Sequence, residues 1–216
     1  MFSKIASLVS GIALAACSVV GIRSGTEEPA YSVMANAGPV EVRGYGPRLA
    51  AETVIDADEE AARSAGFRRL AGYIFGDNQS KTQIAMTAPV AQSPVNPSTS
   101  SQTIAMTAPV SQARDASGQW VVRFFLPREW TLDRLPTPAD PAVHLVTVPA
   151  ETIAVLGFSG DRGADAVHAR QAELIGLLAR SPWRVAGTPV AWFYDPPWTL
   201  PWLRRNEVAV PVAAAL

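Results

Sequence analysis

IAMTAPV stands at residues 84–90 and again at residues 104–110, an identical heptapeptide repeated within one chain. Each copy alternates: Ile84, Met86, Ala88 and Val90 fall on one side, Ala85, Thr87 and Pro89 on the other, as side chains do along a strand. Ile104, Met106, Ala108 and Val110 repeat the row. The repeat therefore predicts two short strands, each with a methionine near its middle. Pro89 and Pro109 have no N–H to give to a ladder, which puts each strand at an edge or bends it at a bulge. Adaptable thioethers suit either an ordinary core or the wall of a pocket for a flat apolar ligand.

Upstream, residues 31–35, 40–45 and 48–55 read as strands, separated by Asn36-Ala37-Gly38-Pro39 and by Gly46-Pro47, a small antiparallel meander. Asp56 or Asp58 can cap a helix running to about Phe75, with Glu59 and Glu60 at its positive end. Ala62, Gly66, Leu70 and Ile74 form its apolar stripe, flanked by Phe67, Ala71 and Tyr73. Gly66 and Gly72 lower its helix propensity and point to close packing or to the close approach of a ligand. Residues 93–101 are a loop rich in Pro, Ser and Asn.

Beyond the second copy, residues 119–126 predict a strand with Trp120, Val122, Phe124 and Leu126 on one face. Residues 144–148 and 152–158 are further strands, followed by a helix over about 164–180 with Val167, Gln171, Leu174 and Leu178 inward and Ile175 and Leu177 beside them. Strands at 190–194 and 206–212 close the chain. Strands, one helix, strands occur twice over. This plan predicts an α+β protein of two related halves sharing one sheet or barrel.

The chain of 216 residues is 48% apolar and 17% charged, enough for a sizeable core. Its net charge of -1 argues against a nucleic-acid partner, which would need a basic stripe to neutralise phosphates. Cys17 is the sole cysteine, so no intrachain disulfide forms. Lys4 and the uncharged apolar residues 5–16 read as a signal peptide over residues 1–16. As a helix that run is roughly 18 Å long, too short for a hydrocarbon core of about 30 Å. Leu14-Ala15-Ala16-Cys17 resembles the bacterial lipobox, which implies cleavage before Cys17 and diacylglycerol on its thiol. Residues 17–30 are then the lipidated cysteine and a tether, and residues 213–216 a tail. In a Gram-negative host, Ser18 rather than Asp would favour the outer membrane of the cell envelope, with the protein facing the periplasm.

Enzyme motifs mostly fail. Gly157-Phe158-Ser159-Gly160 has Asp161 where a nucleophile elbow needs its last glycine, so it reads as a turn. Asp165 and His168 share a helical face without a third ligand, and no paired-cysteine, HExxH or phosphate-cradling loop occurs. The chain is expected to lack catalytic activity. The alternatives are an enzyme for a small hydrophobic or tetrapyrrole-like substrate, using Tyr73, Glu173 or His168, and an envelope interaction lipoprotein without a ligand. Residues 195–208, DPPWTLPWLRRNEV, form a rigid aromatic loop. Its Trp198 and Trp202 either seal a barrel end or stack on a ligand whose carboxylates meet guanidinium groups.

The two IAMTAPV copies, GFRRLAGYIFG at residues 66–76 and YDPPWTLPWLRRNEVAV at residues 194–210 resemble the SOUL haem-binding protein family. The resemblance covers residues 31–212 and makes them one SOUL-like haem-binding domain. It implies a distorted antiparallel β-barrel of two pseudo-symmetric halves flanked by two long helices. The implied activity is noncovalent binding of haem or a related tetrapyrrole in an apolar groove beside the first helix. On that basis Phe67, Leu70 and Tyr73 would supply the floor. Arg63, Arg68 and Arg69, or Lys81, would meet propionates at the rim, and Trp198 and Trp202 would contribute from the loop. One family member has been proposed to use an axial histidine near its N-terminal strands, whereas the histidines here are His144 and His168. Met86, Met106 or Tyr73 is left to ligate weakly, or burial alone holds the macrocycle. At about 25 cal/mol per Å² of apolar area, burial of a few hundred Å² gives several kcal/mol. The repeat then serves as framework, with Met86 and Met106 in the core.

Replacing the thiol tests the anchor. Cys17→Ser is expected to move the protein from the membrane pellet to the soluble fraction after ultracentrifugation. Undiminished sedimentation with membranes would reject lipidation at this residue.

Overall fold

The computed structural model describes residues 26–95 and 119–215; Cys17 with its signal segment and the second IAMTAPV copy, Met106 included, lie outside the described residues. The elements run β1 (Tyr31–Ala37), β2 (Val40–Tyr45), β3 (Arg48–Asp56), α1 (Glu59–Phe75), β4 (Val90–Pro94), β5 (Gln119–Phe125), β6 (His144–Val148) and β7 (Glu151–Phe158). Then come α2 (Ala164–Leu178), β8 (Trp183–Val185), β9 (Val190–Phe193), a short 3-10 turn (Pro201–Leu203) and β10 (Asn206–Ala214).

The strands form one sheet in the order β1-β2-β7-β10-β9-β4-β5-β3-β6, with β8 paired to the far end of β10. Every ladder is antiparallel. The sheet curls into a half-barrel with the two helices outside it, the α+β plan expected. The halves interlock. β3, α1, β4 and β5 match β7, α2, β9 and β10, and the two sets meet where β4 pairs β9.

The expected meander of the first three strands is corrected at its last step. β1 and β2 do pair, but β2 continues onto β7, while β3 pairs with β5 and β6. Gly46-Pro47 acts as a corner rather than a hairpin turn, because Pro47 has no N–H with which to close a ladder. β2 thus flanks the second half and β6 the first.

The first IAMTAPV copy is also not a strand. Ile84 N donates to the Ile74 carbonyl at 2.8 Å, Ala88 N to the Glu27 carbonyl at 2.9 Å, and the Thr87 hydroxyl to the Phe125 carbonyl. The backbone is thereby spent on three different neighbours instead of one ladder. Pro89, joined by a cis peptide bond to Ala88, leads into β4, which begins only at Val90. Met86 packs, half-buried, against the core beneath α1.

α1 forms where the capping chemistry says. The Asp58 carboxylate accepts from Ala61 N at 2.9 Å, and Gly76 closes the helix at φ 117°. α2 has no side-chain cap of its own, but Glu60 of α1 accepts from Ala164 N at 3.2 Å. A carboxylate at that positive end is favourable. Leu70, Tyr73 and Ile74 pack with Val122 and Phe124 under α1, and Val167, Leu174 and Leu178 with Val40, Val208 and Val210 under α2. A third cluster, with Tyr45, Phe125, Ile153 and Trp192, fills the concave side of the sheet. The central strands are therefore buried on both faces.

Gly66 settles why the helix carries a glycine: a Cβ there would stand 2.5 Å from Val122 Cγ2 and 2.6 Å from its Cβ. Gly176 in α2 has nothing within 4 Å of that position. Overpacking costs about 1–3 kcal/mol, whereas Gly→Ala in a helix gains about 1 kcal/mol. In urea unfolding, Gly66→Ala should lower the midpoint and recover in part when combined with Val122→Ala. Gly176→Ala should raise it.

Candidate functional site

The alternation of β2 directs Val40 and Val42 to α2 and therefore Glu41, Arg43 and Tyr45 into the half-barrel. β10 does the same, with Val208 and Val210 toward α2 and Glu207 and Ala209 inward. The concave face consequently holds charge. The Glu207 carboxylate, 3% exposed, accepts from Arg43 Nη1 at 2.9 Å and Nη2 at 3.2 Å. It also accepts from the Tyr194 hydroxyl at 2.6 Å and from Arg205 Nη2 at 3.0 Å. Burial alone would raise its pKa. Hydrogen bonds from Arg43 and Tyr194 and the charges of Arg43 and Arg205 outweigh that and hold it below its usual range. Burial, then the neighbouring carboxylate, pushes the Tyr194 hydroxyl far up.

Arg205 reaches further, its Nη1 meeting both oxygens of Glu28 at 2.9 and 3.1 Å, while its guanidinium stacks on Tyr194 at 3.8 Å. Arg48, at the start of β3, lies between the rings of Tyr45 (4.3 Å) and Phe125 (4.6 Å), and its Nη2 pairs with Glu151. Its Nε and Nη1 are buried with no hydrogen-bond partner. Burial lowers the Arg48 pKa and raises that of Tyr45 to about 12. Glu28, Tyr31, Tyr45, Arg48, Phe125 and Trp192 line a cleft here that is closed, without room for a water.

The residues singled out from the sequence are placed differently from one another. Leu70 and Tyr73 lie in the core between α1 and the sheet, with the Tyr73 hydroxyl donating to the Pro136 carbonyl at 2.9 Å and pushed up to about 12 by burial. Phe67, whose ring meets Phe124 edge-on at 5.3 Å, and Arg68 are exposed on the outer side of α1. Arg69 is held by Thr53 Oγ1 and Asp140, both at 3.0 Å. Arg63 stacks over Phe193 at 4.7 Å and donates to the Arg162 carbonyl, and Arg162 donates to the Asp195 carbonyl at the root of the tryptophan loop. Trp198 and Trp202 are 62% and 68% exposed, so they do not seal the barrel end. Arg204 holds the loop by donating to the Thr199 and Pro197 carbonyls. Lys81 is exposed, at φ 52°.

Other candidates also part company. His144 is exposed on β6, and His168 Nε2 stands 3.0 Å from Glu59 Oε2 on the opposite helix. Glu173 pairs with Arg170 at 2.6 Å on the outer side of α2. No group of three metal-ligating side chains occurs among the described residues. The buried set of Arg43, Arg48, Tyr194, Arg205 and Glu207 was missed. Its one signal was a glutamate opening the otherwise apolar EVAVPVAA.

Residues 26–211 match the family model described as SOUL heme-binding protein. The chain belongs to that family. Among curated relatives, Heme-binding protein 2 of Mus musculus is 27% identical over 151 residues, 65% of this chain and 66% of that protein. Heme-binding protein 2 of Homo sapiens is 38% identical over 69 residues, 30% of this chain and 34% of that one. The chain therefore spans just under two thirds of the mouse protein and about a third of the human one. The EcmrR C-terminal domain superposes with a TM-score of 0.59 at 8% identity over 85% of this chain and 98% of that one. A hydrolase from Listeria innocua gives 0.51 at 11% identity over 83% and 94%. At such identities the likeness is one of fold.

The Glu207 cluster makes a SOUL chain with this interior acid-sensitive. A carboxyl whose folded pKa lies below its ordinary 4.5 stabilises fully above that value, and the contribution fades as pH falls through the folded value. Glu207→Gln strands Arg43 and part of Arg205, and breaking such a buried pair costs about 3–5 kcal/mol. Unfolding free energies from urea titrations should differ by that amount at pH 7 and converge as pH falls through the depressed pKa of Glu207. Equal midpoints at pH 7 would contradict the role given to this carboxylate.

Proposed function

We propose that the protein binds haem or a related tetrapyrrole noncovalently, with the macrocycle laid on the outer side of α1, and performs no chemistry on it. The carrying observation is the helix's solvent face. Phe67 and Phe75, the latter 60% exposed, accompany Arg68, which has no ion-pair partner among the described contacts. Aromatic surface beside an unspent guanidinium suits a flat apolar ring with carboxylate substituents. The family match supports the same ligand class. The floor is reassigned within α1: Leu70 and Tyr73 hold the helix down, and Phe67 and Phe75 offer the contact. Since the Tyr73 hydroxyl is committed to Pro136 and Met86 packs into the core, burial rather than axial ligation would hold the ring. The acid–base groups weighed for an enzyme do not converge, with Tyr73 buried under α1, His168 at Glu59 and Glu173 on the outer side of α2, which supports binding without catalysis. Tethering by Cys17 would place this activity at the envelope.

Hemin titration of the purified mature chain should give a saturable Soret change in the micromolar range. Arg68→Ala should weaken binding about two- to fivefold, as for one exposed charge pair. Phe67→Ala with Phe75→Ala should weaken it about tenfold or more through lost apolar contact. Lack of saturation at micromolar hemin would reject the proposal.

A further inference from the structure

The half-barrel contains a second place with unmet binding capacity, separate from the outer side of α1. Arg48 carries it. Its side chain is 8% exposed, held flat between Tyr45 and Phe125, and pinned at Nη2 by Glu151. That leaves Nε and Nη1 buried without an acceptor. An unmet buried donor costs about 1–3 kcal/mol, more on a charged group, so these two N–H sources mark a place for an incoming oxygen.

The walls of the same cleft are aromatic. Tyr31 and Tyr45 stand 5.3 Å apart, and Tyr45 meets Trp192 edge-on at 5.8 Å. The mouth is occupied by the chain itself. The Glu27 carbonyl accepts from Ala88 N, and the Glu27 side chain accepts from Arg128 N at 3.0 Å. These contacts fix the strap, and Glu28 delivers its carboxylate to Arg205 inside the lining. A carboxylate is therefore already bound at this mouth, covalently attached to the protein.

The charge balance says which ligand fits. Arg43, Arg48 and Arg205 face Glu41, Glu151, Glu207 and Glu28. Without Glu28 the three guanidiniums and three carboxylates balance, and the unspent N–H groups are cationic. A cation would find no unpaired carboxylate to meet. An anion would find donors on Arg48 and the face of Arg205 that Glu28 now covers.

We propose that the mouth of the half-barrel is a site for small aromatic carboxylates, and that Glu28 is a built-in competitor occupying it. The aromatic body of the ligand would take the strap's place against Tyr31, Tyr45 and Trp192, and its carboxylate would take the donors. The cleft is closed while the strap is docked, so a ligand enters only as Glu28 and Pro29 leave, and affinity is governed by how readily the strap gives way.

The test uses 3-phenylpropionate as probe, with calorimetry for affinity and amide NMR shifts for location, on the full mature chain. Glu28→Ala should bind it about tenfold or more tightly than the unaltered protein, with shifts at Arg48 and Trp192. Arg48→Met in the Glu28→Ala background should abolish that binding. Arg48→Lys, which keeps the charge and some donors, should retain part of it. Thermal unfolding of each variant separates loss of the site from loss of the fold. Phenethylamine, of matching shape and opposite charge, should not bind. Absence of saturable binding to folded Glu28→Ala at millimolar probe would overturn the proposal. So would equal affinities with and without Glu28, or equal binding of the amine. Hemin affinity should be unchanged in Glu28→Ala, so the two sites fail or survive separately.

Discussion

The buried carboxylate of Glu207 is the constraint on which the inside of this protein depends. It collects Arg43 from β2, Tyr194 from the end of β9 and Arg205 from the loop before β10, and Arg205 passes the connection on to Glu28. Removing a carboxylate and two guanidiniums from water is expensive, and their attraction repays it only when every hydrogen bond is made. Here the carboxylate accepts from three side chains at once. A curled sheet with an all-apolar lumen would have no such preference for one curvature. The cluster instead ties β10 to β2, which lies beyond β7, as well as to its neighbour β9, so its geometry and the curl of the half-barrel specify each other.

The helices answer a different demand. A sheet buried on one side by charged residues and rings must still cover its convex side, and the two helices do that with matching stripes. They are coupled at their N-termini. Glu60 satisfies an amide of α2, while Arg63 and Arg162 sit on Phe193 between the two halves. Burial, then the nearby charges of Arg63 and Arg204, lowers the Arg162 pKa to about 10 at this seam. The interlocking of β2 with β7 and of β6 with β3 makes neither half complete alone. Two duplicated units therefore fold as one body.

Most elements were legible because their punctuation is local. Asn36-Ala37-Gly38-Pro39, the Asp58 cap and Gly76 mark ends whose chemistry needs no knowledge of the rest of the chain. Pairing was less legible: Gly46-Pro47 reads the same whether it reverses the chain onto its neighbour or turns a corner. The heptapeptide misled for a related reason. Period-two alternation was present, but Thr87 and Ala88 are both buried, on partners far apart in sequence. The charged lumen was invisible for the deepest reason. VEVRGY has the pattern of a strand with one face in water, and the same pattern arises when that face lines a barrel. Within the candidate site, Phe67, Leu70 and Tyr73 read alike as one floor, because no spacing rule separates a helix position that offers contact from one, like Tyr73, that holds the helix down.

The proportions of the two faces bear on how a flat ligand would be held. The cleft inside the half-barrel is closed, without room for a water, and a depression beside α2, lined by Phe158, Asp161 and Arg170, amounts to about 290 Å³. Neither hollow has the size to enclose a macrocycle with its substituents. A ligand of that kind on this structure would be covered on one side, gaining about 25 cal/mol for each Å² of apolar contact and losing nothing to strand separation. Such binding is broad in chemistry and sensitive to single exposed rings. The interior is the opposite: small, rigid, and dense in directional donors. A chain with these two surfaces divides recognition between them, planar bulk outside and carboxylate geometry within.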